Sequence, residues 1–149
     1  MAIPLRKPNE IDKLRIANIA VAKTLNYLKT TVKAGMTLKQ VDEMGEKFLR
    51  DLGARPSFKG LYGFPAAICT SLNEVIIHGI PTDVVLKEGD ILGIDIGSEI
   101  DGWYGDSAIT MPIGKISKED EALIACAKDS LYYAIDVIKE GMRFKELSK

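Results

Sequence analysis

Residues 91–107 of the chain have the sequence I-L-G-I-D-I-G-S-E-I-D-G-W-Y-G-D-S. The β-branched and alternating residues predict two β-strands, one over 91–100 and one over 103–111. Between them stand Asp101 and Gly102, and an Asp-Gly pair is a strong signal for a two-residue hairpin turn. The stretch therefore predicts an antiparallel hairpin, and it is the sharpest local feature of the sequence.

The predicted hairpin brings two carboxylates to one face of the sheet. With the turn at 101–102, Asp95 faces Ala108 and Asp106 faces Gly97. Because side chains alternate between faces along a strand, the two aspartates become diagonal neighbours. Carboxylates at that spacing can converge on one metal ion or bridge two. Alternatively, both are solvated hairpin positions or one caps a turn. Two carboxylates are also fewer than the three or more protein ligands usual in a catalytic metal site.

The residues around the hairpin predict helices before and after it. Apolar side chains at helical spacing indicate helices over about 9–33, 37–52 and 117–140. Thr37 and Gln40 have the spacing of a capping box. Residues 66–80 are predicted to form a strand with a break near 73–74. The sequence therefore predicts a mixed α and β fold in which helices flank an antiparallel sheet.

Two segments of the chain resemble each other at a constant offset of 106 residues. Residues 25–43 and 131–149 share matching Leu, Tyr, Lys, Gly and Met positions, and similar apolar positions accompany them. A fixed offset is typical of an internal repeat, although two helix–Gly–helix junctions can also match by chance. If the repeat is real, we expect 1–149 to be the N-terminal half of a molecule with internal pseudo-two-fold symmetry, without its second half.

Composition excludes several classes of protein. The chain has 149 residues, with 20 Lys and Arg against 21 Asp and Glu, so its net charge is −1. Nothing in this balance indicates a nucleic-acid partner. No apolar run is long enough to span a membrane, and the N-terminus has no secretory signal. We therefore expect a cytoplasmic protein whose two cysteines, Cys69 and Cys126, are free thiols.

The remaining candidate residues give a weaker indication of function than the two aspartates. His78 is the only histidine, and it is predicted to end an apolar strand just before a Gly-Ile-Pro turn. It could exchange a hydrogen bond with a substrate backbone, or it could be a packed histidine. A cluster of apolar side chains could form the wall of a pocket or belong to the core: Phe58, Leu61, Tyr62, Phe64 and Cys69.

At this point the order and spacing of the motifs resemble the type I methionine aminopeptidases. The motifs are N-E-V-I-I-H-G-I-P at 73–81, I-D-I-G at 94–97 and D-G-W-Y-G-D-S at 101–107. G-F-P-A-A-I-C-T-S at 63–71 and the N-terminal helix pair fit as well. The resemblance covers essentially the whole chain.

The resemblance implies a pita-bread, creatinase/aminopeptidase-like fold and the removal of N-terminal methionine from nascent proteins. It implies divalent metal ions, Co, Mn, Fe or Zn, two per complete site, with Asp95 and Asp106 among their ligands. His78 matches the catalytic histidine that contacts substrate near the scissile bond. One wall of the methionine side-chain pocket is matched by four residues: Phe58, Leu61, Phe64 and Cys69.

The resemblance also sets limits on what this chain does alone. The family's metal-binding His and two Glu ligands belong to the second half, so we expect weak metal affinity and little activity from residues 1–149. The full-length form is expected to be a monomer, whereas the short form exposes an apolar face that favours self-association. Two other hypotheses stay open. One is a non-catalytic pita-bread module that binds a peptide or protein, and the other is a separate chain that supplies the second half.

Overall fold

The computed structural model describes residues 4–147. It divides into two compact units, with the boundary between Lys115 and Ile116. The first unit contains helices α1 (Pro8–Thr31) and α2 (Leu38–Asp51) and strands β1 (Arg55–Pro56), β2 (Ile68–Leu72), β3 (Ile91–Ile100) and β4 (Trp103–Pro112). The second unit contains helix α3 (Lys118–Val137), and short 3-10 turns lie at Leu61–Gly63 and Phe144–Glu146.

The β3–β4 hairpin has the predicted register. Asp95 pairs with Ala108 and Gly97 pairs with Asp106. Both turn residues have positive φ, 51° at Asp101 and 80° at Gly102, as a type I′ turn requires. β3 also pairs on its other side with β1 and β2, and all these pairings are antiparallel. β3 is therefore the central strand that fixes the positions of the other three.

One face of the sheet forms the hydrophobic core. Ile94 and Ile96 of β3 are fully buried there with Ile68 of β2, and α1 and α2 pack against this face. At the end of β3 the buried Ser98 Oγ donates a 2.9 Å hydrogen bond to the carbonyl oxygen of Ala17 in α1. The odd-numbered residues of β3 point the other way, and this second face holds the candidate site.

The N-terminus of α2 has the predicted capping box. The Thr37 hydroxyl accepts the N–H of Gln40 at 3.2 Å, and the Gln40 side chain accepts the N–H of Thr37 at 2.8 Å. Four buried residues then fix α2 on the core: Leu38, Val41, Gly45 and Leu49. The prediction of this helix from its cap and its apolar stripe is confirmed.

The strand predicted over 66–80 is only partly correct. β2 ends at Leu72, and the chain turns at Asn73, whose φ is 50°. The segment that follows is not a strand, although it is rich in β-branched residues. Ile76 is 89% exposed and Ile77 66%, so these two side chains are not packed into the core that the described residues form. His78 therefore does not end a strand but lies in an irregular segment with φ 56°.

The backbone of the second unit has the same features as the first copy of the sequence repeat at equivalent positions. α3 is capped by Ser117, which accepts the N–H of Asp120 at 3.0 Å. α1 ends at Thr31 and α3 ends at Val137, positions that the repeat makes equivalent. Gly35 and Gly141, also equivalent, both have positive φ, 92° and 83°. This agreement supports the repeat. Residues 148–149, at the end of its second copy, lie outside the described residues.

Within residues 4–147, no helix combines the length and the apolar character that crossing a bilayer requires.

Because the β3–β4 register depends on the turn, Gly102→Ala should destabilise the first unit. A Cβ at Gly102 would meet no other atom, so the cost is that of holding a non-glycine residue at positive φ, about 1–2 kcal/mol. Urea unfolding should show this loss. Ser107→Ala, at an exposed position of the same hairpin, is the control. Equal midpoints for the two variants would contradict the role given to the turn.

Candidate functional site

A cleft of about 470 Å³ lies on the face of the sheet opposite to the core helices. Every candidate site residue named from the sequence lines it: Phe58, Leu61, Phe64, Cys69, His78, Asp95 and Asp106. Tyr62 lines it as well. Sequence reasoning missed Gly63, Pro65 and Ile80. All three lie within two positions of a predicted residue, so their place in the motifs is the signal that indicates them.

Asp95 and Asp106 form the floor of the cleft. They lie on the same face of the hairpin, as the register predicts, and their side chains are close enough to hydrogen-bond to each other. Asp95 is half-buried and Asp106 is open to solvent. The negative charge of Asp106 therefore disfavours the ionised form of Asp95.

The environment of Asp95 disfavours its charged form. Burial is the largest cause that raises the pKa of Asp95, and the charge and hydrogen bond of Asp106 raise it further. His78 and the N–H of Ile96 act in the opposite direction but do not cancel the increase. A divalent cation bound between the carboxylates would remove the repulsion. The carboxylate oxygens are also suitable ligands for such a cation.

Phe58 reaches the cleft because Gly97 has no side chain. A Cβ at Gly97 would overlap the Ser57 hydroxyl and the Phe58 ring. The N–H of Ser57 donates to the Gly97 carbonyl oxygen at 3.0 Å, which continues the pairing of β1 with β3. Phe58, which forms part of the apolar wall of the cleft, therefore packs directly against β3, the strand that carries Asp95.

Cys69 connects the wall to the floor. It pairs with Asp95 across β2 and β3, and only 4% of its surface is exposed. Burial, with smaller contributions from Asp95, Asp106 and Asp42, raises the pKa of the Cys69 thiol to about 11. The thiol therefore stays protonated at neutral pH and behaves as a small apolar group rather than as a nucleophile.

His78 lies at the rim of the cleft in a conformation that is uncommon for residues other than glycine. The next residue, Gly79, holds it in place. The Gly79 carbonyl oxygen accepts the N–H of Thr70 at 2.8 Å, and its N–H donates to the Ser71 hydroxyl at 3.2 Å. The exposed imidazole is therefore free to contact a molecule in the cleft. Held backbone conformations of this kind cluster at functional sites.

The donor set is small for a metal centre. Among residues 4–147, no group of three or more His, Cys, Asp or Glu side chains is arranged to hold a metal ion. Asp95 and Asp106 can therefore supply two ligands, and a complete catalytic centre would need others.

A family model described as metallopeptidase family M24 matches residues 12–149. A protein of Helicobacter pylori named methionine aminopeptidase is 56% identical over all 149 residues, which cover 59% of that protein. Methionine aminopeptidase 1 of Bacillus subtilis is 43% identical over 96% of this chain and 58% of its own length. The chain thus spans about three-fifths of the curated relatives it matches.

Solved structures show the same fold. A crystal structure of methionine aminopeptidase from Thermotoga maritima matches with a TM-score of 0.95 and 34% identity, over 99% of this chain and 59% of that one. Prolidase from Pyrococcus furiosus matches with a TM-score of 0.85 over 96% of this chain and 41% of that one. Its identity is 20%, so this second likeness concerns the fold alone. The predicted pita-bread fold is confirmed by these neighbours.

The electrostatics of the floor predict the reactivity of Cys69. In a Cys126→Ser background, the rate of Cys69 alkylation by iodoacetamide should still be rising at pH 10, because the pKa of its thiol is about 11. Asp95→Asn removes a negative charge and should move the midpoint to lower pH. Asp101→Asn, the same change at the hairpin tip, should leave it in place. A midpoint near the ordinary cysteine value of about 8.5 would show that the thiol is not shielded as described.

Proposed function

Because the chain belongs to metallopeptidase family M24, we propose that it forms part of the site of a methionine aminopeptidase, which removes N-terminal methionine from nascent proteins. One observation carries this proposal. Two adjacent carboxylates lie at the floor of a cleft whose wall is apolar and whose rim bears an exposed histidine. A metallopeptidase that removes methionine needs all three features, since it must hold cations, bind an unbranched apolar side chain and contact the peptide backbone.

Each residue has a proposed task. Asp95 and Asp106 would hold divalent metal ions, Co, Mn, Fe or Zn, two per complete site. When bound, such ions activate water and polarise the carbonyl group that is attacked. Binding of the methionine side chain, with exclusion of water from it, is assigned to four residues of the wall: Phe58, Leu61, Phe64 and Cys69. His78 would hydrogen-bond to the substrate near the scissile bond.

The same proposal includes what lies outside residues 1–149. We propose that this chain is the N-terminal portion of a methionine aminopeptidase catalytic domain and that the remaining ligands come from the other half of the pseudo-two-fold. The proposed setting is the cytoplasm, with the N-terminal peptides of nascent proteins as partners and with neither nucleic acid nor membrane among them. Relatives of greater length support this reading.

Metal binding to the isolated chain should be weak and should depend on the floor carboxylates. Mn²⁺ binding, followed by water-proton relaxation, should fall at least about tenfold in Asp95→Asn, since even an outer-shell partner of a metal ligand is worth that much. Asp101→Asn, the same substitution at the exposed hairpin tip, should bind as the unmodified chain does. Equal binding by both variants would favour the alternative of a non-catalytic peptide-binding module.

Methionine should bind in the cleft and shield Cys69. In a Cys126→Ser background at fixed pH, free methionine and norleucine should slow the alkylation of Cys69, whereas aspartate should not, because the wall is apolar. Phe64→Ala should weaken this protection. Phe144→Ala, the same change at an 85% exposed position of the second unit, should not. Alkylation rates that are identical with and without methionine would contradict the assignment of the wall.

A further inference from the structure

The segment that forms the wall of the cleft has little regular structure of its own. This segment, residues 57–67, is called the pocket loop below. It contains a single 3-10 turn at Leu61–Gly63, and the backbone hydrogen bonds inside it all lie between residues 58 and 64, including one from the Gly60 N–H to the Phe64 carbonyl oxygen at 2.8 Å. These bonds shape the middle of the loop, so the position of its ends depends on contacts with the rest of the chain.

The far end of the pocket loop is held by Asp42, on α2. One carboxylate oxygen of Asp42 accepts the N–H groups of both Ala67 and Ile68, each at 2.9 Å. These are the last residue of the loop and the first of β2, directly before Cys69. Asp42 is half-buried, and hydrogen bonds to a charged acceptor are roughly twice as strong as those between neutral groups.

The near end of the loop contacts α2 one helical turn further along. Lys59 Nζ lies 2.7 Å from Glu46 Oε2, and Glu46 also accepts from Arg50 of the same helix at 2.8 Å. Positions 42 and 46 share one face of the helix. The same face therefore contacts the pocket loop near both of its ends. At the near end the loop is also held by β3, through the hydrogen bond from the Ser57 N–H to the Gly97 carbonyl oxygen.

α2 can reach the loop because Gly45 lets it approach β2 closely. A Cβ at Gly45 would lie 3.3 Å from Ile68 Cγ2 and 3.4 Å from Leu28 Cδ1. The contact with Ile68 is tighter than most contacts of a Cβ atom, so an added side chain would require the Ile68 side chain to shift by a few tenths of an ångström. A glycine inside a helix costs about 0.5–1 kcal/mol relative to alanine. Here the close approach that it allows places Asp42 where it accepts the N–H groups of Ala67 and Ile68.

We propose that Asp42 is a positioning residue for the cleft, which fixes the pocket loop so that its side chains form the wall for the methionine side chain. The part about methionine rests on the proposed function. Glu46 has the smaller share, because its partner Lys59 is about half exposed and such ion pairs contribute little. The two bonds to Asp42 are less exposed, because Asp42 is half-buried and the N–H groups of Ala67 and Ile68 belong to buried residues.

Amide hydrogen exchange on the isolated chain tests this. Asp42→Ala should raise exchange at residues 57–69 at least about tenfold, since two bonds to a charged acceptor are lost. Asp42→Asn keeps an accepting oxygen and should restore most of the protection. Glu43→Ala, an exposed neighbour on the same helix, is the control. Exchange in Asp42→Ala that matches Glu43→Ala, or that rises equally across the core strands, would overturn the proposal.

A second test uses the unmodified chain, so it does not depend on whether a variant folds. Burial is the largest effect on the pKa of the Asp42 carboxyl and raises it, and the nearby charge of Glu46 raises it as well. The hydrogen bonds from the two N–H groups and the charge of Lys59 lower this pKa. The net result is a pKa above the ordinary value for aspartate. NMR titration should therefore show the amide protons of Ala67 and Ile68 shifting together with a midpoint above about 3.9. Amide protons that do not follow a common titration would overturn the proposal.

Methionine binding separates the two proposals. If methionine protects Cys69 in the unmodified chain but not in Asp42→Ala, and Asp42→Asn restores protection, both proposals are supported. If methionine never protects Cys69 while exchange at residues 57–69 still follows Asp42, the proposed function is wrong and the positioning of the loop stands. If protection is the same in all variants, the wall does not depend on Asp42 and the positioning role is wrong.

Discussion

The structure of the cleft depends on the register of one hairpin. Side chains on a strand alternate with a period of two, so a slip of one residue would send Asp95 to the core and leave an uncompensated carboxylate there. The turn at Asp101 and Gly102, where both residues have positive φ, prevents this slip. Because β1 and β2 pair with the same central strand, the wall of the cleft takes its position from that register too.

The two faces of the sheet have different roles, which follow from the alternation of side chains along each strand. Ile94 and Ile96 face the helices and supply burial, whereas Asp95 and Gly97 face the cleft. Gly97 contributes by leaving space that Phe58 fills. Stability and the candidate site are therefore closely linked in the middle of this strand, where Ile94 and Ile96 of the core alternate with Asp95 and Gly97.

Local sequence patterns predict the elements whose interacting residues are close together in the chain. The hairpin and the capping box at Thr37 involve residues within a few positions of each other, and both were predicted. The strand expected after Asn73 was not formed, because β-branched residues favour a strand only where another strand pairs with them. The role of Asp42 could not be foreseen, because its partners are 25 and 26 residues away and no local pattern signals their approach.

The buried thiol of Cys69 has a consequence for how the cleft withstands oxidants. Peroxides attack the thiolate, which is the first step towards sulfenic and sulfinic acids. With a pKa of about 11, only about one Cys69 in ten thousand is ionised at pH 7. The polarisable sulfur can therefore line an apolar wall without making the cleft sensitive to the redox state around it. Burial is the largest cause of the raised pKa, so this inertness comes mainly from the packing around Cys69 and not from the charge of the floor carboxylates.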